Sequence, residues 1–213
     1  AASDVKLADL AQLCDVFYIG GTKCGAMFGE AVVILNEELK TGFRHMIKRQ
    51  GGMMAKGRLM GVQFAALLED GLYFRLGQQM VEQAVRLRDG IRALGYSLVV
   101  ESPTNQQFPI LPDRVLEKLK DKYSWSAKEK VDGEHTAVRF CTSWSTKDEE
   151  IDALLALYNL QQEYAAGNLD GCRILLQEIS DERLEPLLPT SAQEGIPSPA
   201  QQYQELREAI LNS

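Results

Sequence analysis

Apolar positions in this chain fall most regularly between Leu76 and Leu94. Leu76, Met80, Ala84, Leu87, Ile91 and Leu94 keep a single stripe, and Gly95 follows as a C-terminal stop. The spacing predicts one long amphipathic helix over 74–94. Upstream, Met60, Phe64, Leu67 and Leu68 fall at i, i+4, i+7 and i+8 and predict a second helix. Asn36 before Glu37 and Glu38 offers an N-cap side chain with negative charge at the positive end of the helix dipole, and Gly51 and Gly52 interrupt the helix that starts there. A shorter helical pattern, LADLAQL, precedes two apolar runs, 15–19 and 30–35, which read as strands. Beyond Gly95 the pattern predicts short strands at 97–101 and 107–111, a helix over 113–123, a strand at 137–142 and a helix over 147–158. Such a mixture predicts a small α+β layer domain packed on the long helix.

From Leu160 the character changes. A modest helical pattern is followed by Pro186, Pro189, Pro197 and Pro199, four of the seven prolines, which read as a linker; Ala200–Leu211 then forms a last amphipathic piece. The net charge of −7 belongs to this region: residues 160–213 hold 9 acidic and 3 basic side chains, whereas residues 1–159 hold 21 and 20. A nearly neutral body with an acidic extension lacks the basic face that phosphate backbones require, so no nucleic-acid partner is expected. No stretch has the roughly 18 uninterrupted apolar residues of a membrane helix. The beginning AASDVKLADL lacks the blocks of a signal peptide, so a cytoplasmic protein with no membrane partner is expected. Cys14, Cys24, Cys141 and Cys172 are scattered without metal-ligand spacing, so free thiols and no metal centre are expected. His45 and His135, the two histidines, sit in no defensible catalytic motif.

Chemistry concentrates between the first two predicted strands, in DVFYIGGTKCGAMFGEAVVIL. Lys23 is held there on a turn anchored on both sides, where Gly20, Gly21, Gly25 and Gly29 permit positive φ or close approach of a bulky ligand. Those are conditions that suit a Schiff-base lysine, although a glycine-rich hairpin needs no ligand. An amine of ordinary basicity is protonated at neutral pH, so a working Lys23 is expected to be desolvated or placed near positive charge. Phe17, Tyr18, Met27 and Phe28 are the candidate walls. Thr22 reads equally as a phosphate-binding hydroxyl and as a plain turn residue.

Three segments in order, VFYIGGTKCGAMFGEAVV, FRHMIKRQGGMMAKGRLMGVQF (43–64) and AVRFCTSWST (137–146), carry a resemblance to the threonine aldolase and aromatic amino-acid β-eliminating lyase family. These are pyridoxal-phosphate enzymes of fold type I. The resemblance implies an α/β fold made of a remnant of the cofactor-binding large domain (1–70), a small α+β C-terminal domain (71–159) and a helical acidic extension (160–213). It implies pyridoxal 5'-phosphate as cofactor, Lys23 as the lysine that joins it, and Gly21, Thr22 and Lys56 beside it. Arg139 matches the arginine that holds the substrate α-carboxylate, a role suited to a planar guanidinium fork. The implied reaction is retro-aldol cleavage of a β-hydroxy amino acid to glycine and an aldehyde. β-Elimination, transamination, or a non-catalytic interaction module remain alternatives.

The chain departs from the family pattern in three ways. Met54 stands where an arginine is usual, with Lys56 or Arg58 as substitutes; Trp144 stands where many aldolases have histidine; and the phosphate-cupping turn, ring-stacking residue and pyridine-pairing carboxylate lie upstream of what corresponds to residue 15. The chain therefore resembles the C-terminal portion of such an enzyme. Its expected partners are a small amino acid and either further copies of itself or a missing N-terminal half. A sheet represented by its last strands is expected to expose apolar edges and one uncovered face.

Overall fold

The computed structural model describes residues 1–120, 123–168, 172 and 199–212. The predicted proline-rich linker lies mostly outside the described residues. The chain is a mixed α/β structure of two compact units, Ala1–Val81 with Ser143–Ser145, and Glu82–Thr142 with Thr146–Ser213. The boundary falls within one helix, α5 (Leu72–Ala93).

The first unit begins with α1 (Leu7–Leu13), then an antiparallel hairpin of β1 (Val16–Gly20) and β2 (Glu30–Ile34) with Val16 opposite Ile34 and Gly20 opposite Glu30. Side chains alternate across its two faces. Ile19, with Phe17, Ala31 and Val33, turns to a core completed by Ala26, Phe64 and Leu67. Val16, Tyr18 and Val32 turn the other way and are 37, 68 and 42% exposed. The hairpin thus has one packed face and one uncovered apolar face, as expected for the end of a sheet.

Asn36 caps α2 (Glu37–Lys40) by accepting from the Glu38 N–H at 3.0 Å. That helix ends sooner than expected, because Thr41 is extended and Gly42 takes φ 70°; the chain then re-enters helix as α3 (Phe43–Arg49). Next comes α4 (Arg58–Leu68), which buries Phe64 and Leu67 while Leu68 stays 40% exposed. A 3-10 turn at Glu69–Gly71 leads into α5.

The second unit wraps a core around the later turns of α5, whose Ala84, Leu87 and Ile91 are essentially buried. Full burial of a side chain such as Ile91 contributes about 1.5–3 kcal/mol. The sheet comprises β3 (Gln106–Gln107), β4 (Ile110–Pro112), β5 (Ser126–Lys130) and β6 (His135–Cys141), with β6 antiparallel to the other three. Three helices complete the described part: α6 (Asp113–Leu119), α7 (Asp148–Ala165) and α8 (Pro199–Leu211). Leu111, Val138, Phe140, Ile151, Leu154 and Tyr158 join Leu87 and Ile91 in one cluster.

Two strand expectations are corrected. Residues 97–101 form only an isolated bridge, Leu98 to Pro109, rather than a strand. The segment expected at 107–111 is split, because Pro109 has no N–H to donate and its carbonyl instead accepts from Val138 N–H at 3.0 Å. β5 is a strand that the hydrophobic pattern does not predict: Ser-Ala-Lys-Glu-Lys carries no apolar alternation and is held by its ladder to β6 across a bulge between Ala127 and Glu129.

Candidate functional site

Lys23 sits in a one-turn 3-10 helix, Thr22–Cys24, between β1 and β2. The turn closes on a single acceptor, the Gly21 carbonyl, which takes N–H bonds from Cys24 and Ala26, both at 2.9 Å. Three further segments of the same unit fix the loop. Trp144 N–H donates to the Lys23 carbonyl at 2.9 Å. The Tyr73 hydroxyl, from the first turn of α5, donates to the Gly20 carbonyl at 2.8 Å. Gln63 of α4 spans the outgoing limb, accepting from Met27 N–H at 3.0 Å and donating to the Phe28 carbonyl at 2.6 Å. The backbone of this turn is therefore tied down on every side, while the Lys23 side chain is exposed and, among the described residues, has no ion-pair partner.

The glycines divide by function. A Cβ on Gly21 would lie 2.6 Å from the Ala26 Cβ and 2.8 Å from Phe64 Cζ, so Gly21 permits close packing of the turn on α4. Gly25 takes φ 99° as the left-handed stop of the 3-10 turn, a conformation that favours glycine. Gly20, by contrast, has nothing within 4 Å of a built Cβ. Close approach of a ligand is thus not what Gly21 requires; the protein itself fills that space.

The expected apolar walls do not close over Lys23. Phe17 belongs to the packed face of the hairpin, whereas Tyr18 lies on the uncovered one and Met27 is 85% exposed. Burial does have an effect one residue along. It pushes the Cys24 thiol above its usual range, with a hydrogen bond to Tyr73 acting in the opposite sense.

Thr22 is exposed, and its hydroxyl has no hydrogen-bond partner among the described residues. Lys56 lies in the turn before α4 at φ 58°, a left-handed backbone uncommon for a residue with a Cβ, and is exposed. Asp15 caps the other end of β1, where its side chain accepts from Asn36 at 3.2 Å. The five residues of β1 put it on the order of 17 Å from the lysine turn at about 3.3 Å each. It cannot reach a ring joined to Lys23 across the same strand. The residues present therefore fit covalent attachment, with a free amine and an adjacent free hydroxyl, but not the pairing of a pyridine nitrogen.

Arg139 lies in the second unit. It alternates with buried Val138 and Phe140 along β6 and is itself partly exposed. Its Nη2 donates to Ser126 Oγ at 3.0 Å on β5, and its Nη1 to Gln106 Oε1 at 3.4 Å on β3. Both acceptors are neutral, and among the described residues no carboxylate pairs with it. The guanidinium is oriented from both sides with its charge uncompensated, an arrangement suited to an incoming carboxylate.

The other candidates are structural. His135 Nδ1 lies 2.9 Å from both carboxylate oxygens of Asp132, whose Oδ1 also accepts the Glu134 and His135 backbone N–H groups, so the pair shapes the loop before β6. All four cysteines are free, and the described residues hold no cluster suited to a metal ion. No described helix is long and apolar enough to cross a membrane. A cavity of about 260 Å³ in the second unit is lined by Leu87, Tyr123, Phe140, Cys141 and Glu150 among others, and Arg139 is not among them. Tyr73 and Gln63 escaped sequence reasoning because their partners lie 53 and 35–36 residues away. The sole hint was polar side chains close to the faces that Phe64 and Leu76 turn to the core.

Similarity to known proteins covers about two thirds of the chain. The low-specificity L-threonine aldolase of Pseudomonas sp. (strain NCIMB 10558) is 29% identical over 143 residues, 67% of this chain and 40% of its own. The corresponding enzyme of Pseudomonas aeruginosa is 29% identical over 141 residues, 66% of this chain and 40% of its own. The solved structure of a Leishmania major threonine aldolase superposes with a TM-score of 0.70 at 42% identity, covering 73% of this chain and 45% of that one. No protein-family model matches the chain. The chain spans about 40% of the length of the curated relatives it matches. Over about two thirds of its own length, in sequence and in fold, it is similar to a part of the threonine aldolases.

Proposed function

We propose that this chain supplies the cofactor lysine and the substrate-carboxylate arginine of a threonine aldolase-like lyase that depends on pyridoxal phosphate. The observation that carries this reading is the lysine turn: Lys23 offers an exposed amine without an ion pair, on a backbone held by Tyr73, Gln63 and Trp144. In such an enzyme the cofactor, when bound, withdraws electrons from the substrate α-carbon. The residues of the chain have separate tasks. Lys23 Nζ must shed a proton to join the cofactor aldehyde, and an exposed amine in this chain requires further covering groups to make that favourable at neutral pH. Thr22 would offer its hydroxyl, and Lys56 its charge, to the cofactor phosphate. Arg139 would hold the substrate carboxylate by two parallel N–H bonds, its fork preset by Ser126 and Gln106. The reaction is cleavage of the Cα–Cβ bond of a β-hydroxy amino acid: the hydroxyl loses its proton and becomes the aldehyde, and the α-carbon gains a proton to give glycine.

Completion of the site requires groups from another source, because Asp15 is at the wrong end of β1 to serve the ring. We assign these to additional polypeptide of the same fold, a further copy or a complementary N-terminal portion, seated where Val16, Tyr18 and Val32 are uncovered. The same observation favours a second reading, in which the chain keeps the scaffold as an interaction module without catalysis. An absorbance titration with pyridoxal phosphate separates the two. The first reading predicts a band at about 420 nm, the expectation for a lysine-bound cofactor, that is lost in Lys23→Ala and retained in Arg139→Ala, with amino-acid binding weakened at least tenfold in the latter. No band at high cofactor concentration contradicts the first reading for the chain alone and is the outcome the second reading expects.

A further inference from the structure

Arg139 has a second cation beside it in the same sheet. β5 pairs with β6 on the edge opposite β3 and β4, since Ala137 stands between Glu129 of β5 and Ile110 of β4. Arg139 therefore lies across β6, its fork reaching Ser126 on one edge and Gln106 on the other. Lys128 makes a similar crossing. It follows Ser126 by two residues, in the bulge between Ala127 and Glu129, and its ammonium lies over the Phe108 ring, 4.7 Å from the centroid. Gln107 pairs with Phe140, so the antiparallel register carries Phe108 to Arg139. Residues opposed in this way have Cβ atoms about 5 Å apart on one face of the sheet. The Lys128 ammonium is thus held on a ring that neighbours the Arg139 side chain. Among the described residues neither cation has an ion pair, and Glu129, exposed and opposite Ala137, pairs with neither. Lys130, two residues on from Lys128, is by contrast neutralised by Asp113.

We infer that Lys128 and Arg139 form a two-point site for a dicarboxylate, so that the β-hydroxy amino acid this chain takes is one whose side chain carries a second carboxylate. This rests on the reading of Arg139 as the arginine of the α-carboxylate. The two cations suit different tasks. The guanidinium fork fixes one carboxylate in its plane, whereas the ammonium is a point charge that accepts a second carboxylate over a wider range of directions. The Phe108 ring holds the ammonium through its π face and leaves the charge uncompensated. Two like charges on one face repel each other, and a dianion removes that repulsion as it gains both contacts. A monocarboxylate engages Arg139 alone, so specificity arises as a difference between the two affinities. Cleavage of such a substrate gives glycine and an aldehyde that retains the second carboxylate.

The test is binding to the full chain without cofactor, read from backbone amide shifts along β5 and β6, with succinate and butyrate as probes. The two have equally long carbon chains and differ in the second carboxylate. Succinate is expected to bind about three- to tenfold more tightly, the range of an exposed charge pair, and the preference should shrink as salt is added. Lys128→Met keeps an apolar stem for the Phe108 ring and deletes the charge. It should abolish the preference while leaving butyrate affinity unchanged, and Lys128→Arg should retain the preference; Lys128→Gln replaces the methionine variant if that one does not fold. A purely structural Lys128 would hold β5 and, through Ser126, the arginine, so its removal would weaken both probes alike. Equal losses therefore overturn the proposal, as does a wild-type chain that does not prefer succinate. If Arg139→Ala leaves both affinities unchanged, the arginine reading itself fails and takes the proposal with it, an outcome told apart because it involves no change at Lys128.

Discussion

At the residue scale, glycine identity around Lys23 separates packing from chemistry. Gly21 is required because the turn sits directly on Ala26 and Phe64, and the Ala26 Cβ has no rotamer with which to yield. Gly21→Ala is therefore expected to cost about 1–3 kcal/mol as an overpacked site, whereas Gly20→Ala, with open space around it, should stay within about 0.5 kcal/mol of wild type. Thermal unfolding of the two variants checks this, and equal stabilities would contradict the packing account. By spacing alone these glycines look alike, as places where a ligand approaches. Spacing shows that glycine is present but not what fills the space beside it. Arg139 was better exposed to sequence reasoning, because strand alternation between Val138 and Phe140 already dictates which way it points; its partners Ser126 and Gln106 were not, since they come from neighbouring strands.

At the element scale, the long apolar stripe of α5 was fully legible, because local periodicity and burial agree along it and Gly95 ends it at φ 82°. Elements whose existence depends on distant partners were not. β5 is formed by ladder bonds to β6 despite its polar sequence, and 97–101 stays short of a strand because its pairing stops at the single Leu98–Pro109 bridge and the two backbone bonds beside it, Val99 N–H to the Phe108 carbonyl and Ile110 N–H to the Ser97 carbonyl. The β5–β6 hairpin is anchored to the start of α6 by Asp113, which accepts from Lys130 and, at 2.6 Å, from Thr136 Oγ1. The Lys130 bond, then that of Thr136, holds the Asp113 carboxyl below its usual range. A depressed carboxylate contributes stability that is complete above the unfolded value near pH 4 and is lost as the pH falls through the lower folded value. Asp113→Asn should therefore lower the unfolding temperature at pH 7, and the difference should shrink as the pH drops below about 4. A difference that stays undiminished as the pH falls well below the unfolded value would show that charge is not the cause.

At the scale of the whole molecule, the proposed reading has the chain supply part of a catalytic site. It offers a fixed lysine, a charged and oriented arginine, and a hairpin with an uncovered apolar face carrying Val16, Tyr18 and Val32. It also spans only about 40% of its curated relatives. The three matching segments made the resemblance legible in sequence. What the structure adds is that the ring partner cannot come from Asp15 and that desolvation of Lys23 cannot come from the walls of its own loop. On the proposed reading, both come from the polypeptide that covers the hairpin. The central claim is that Lys23 is nonetheless the lysine the cofactor selects. Reduction of the pyridoxal phosphate adduct by borohydride, followed by peptide mapping of the intact chain, tests it most directly. The account predicts the pyridoxyl group concentrated on Lys23; a label spread over Lys48, Lys56 and the other exposed lysines, with no excess at Lys23, would contradict it.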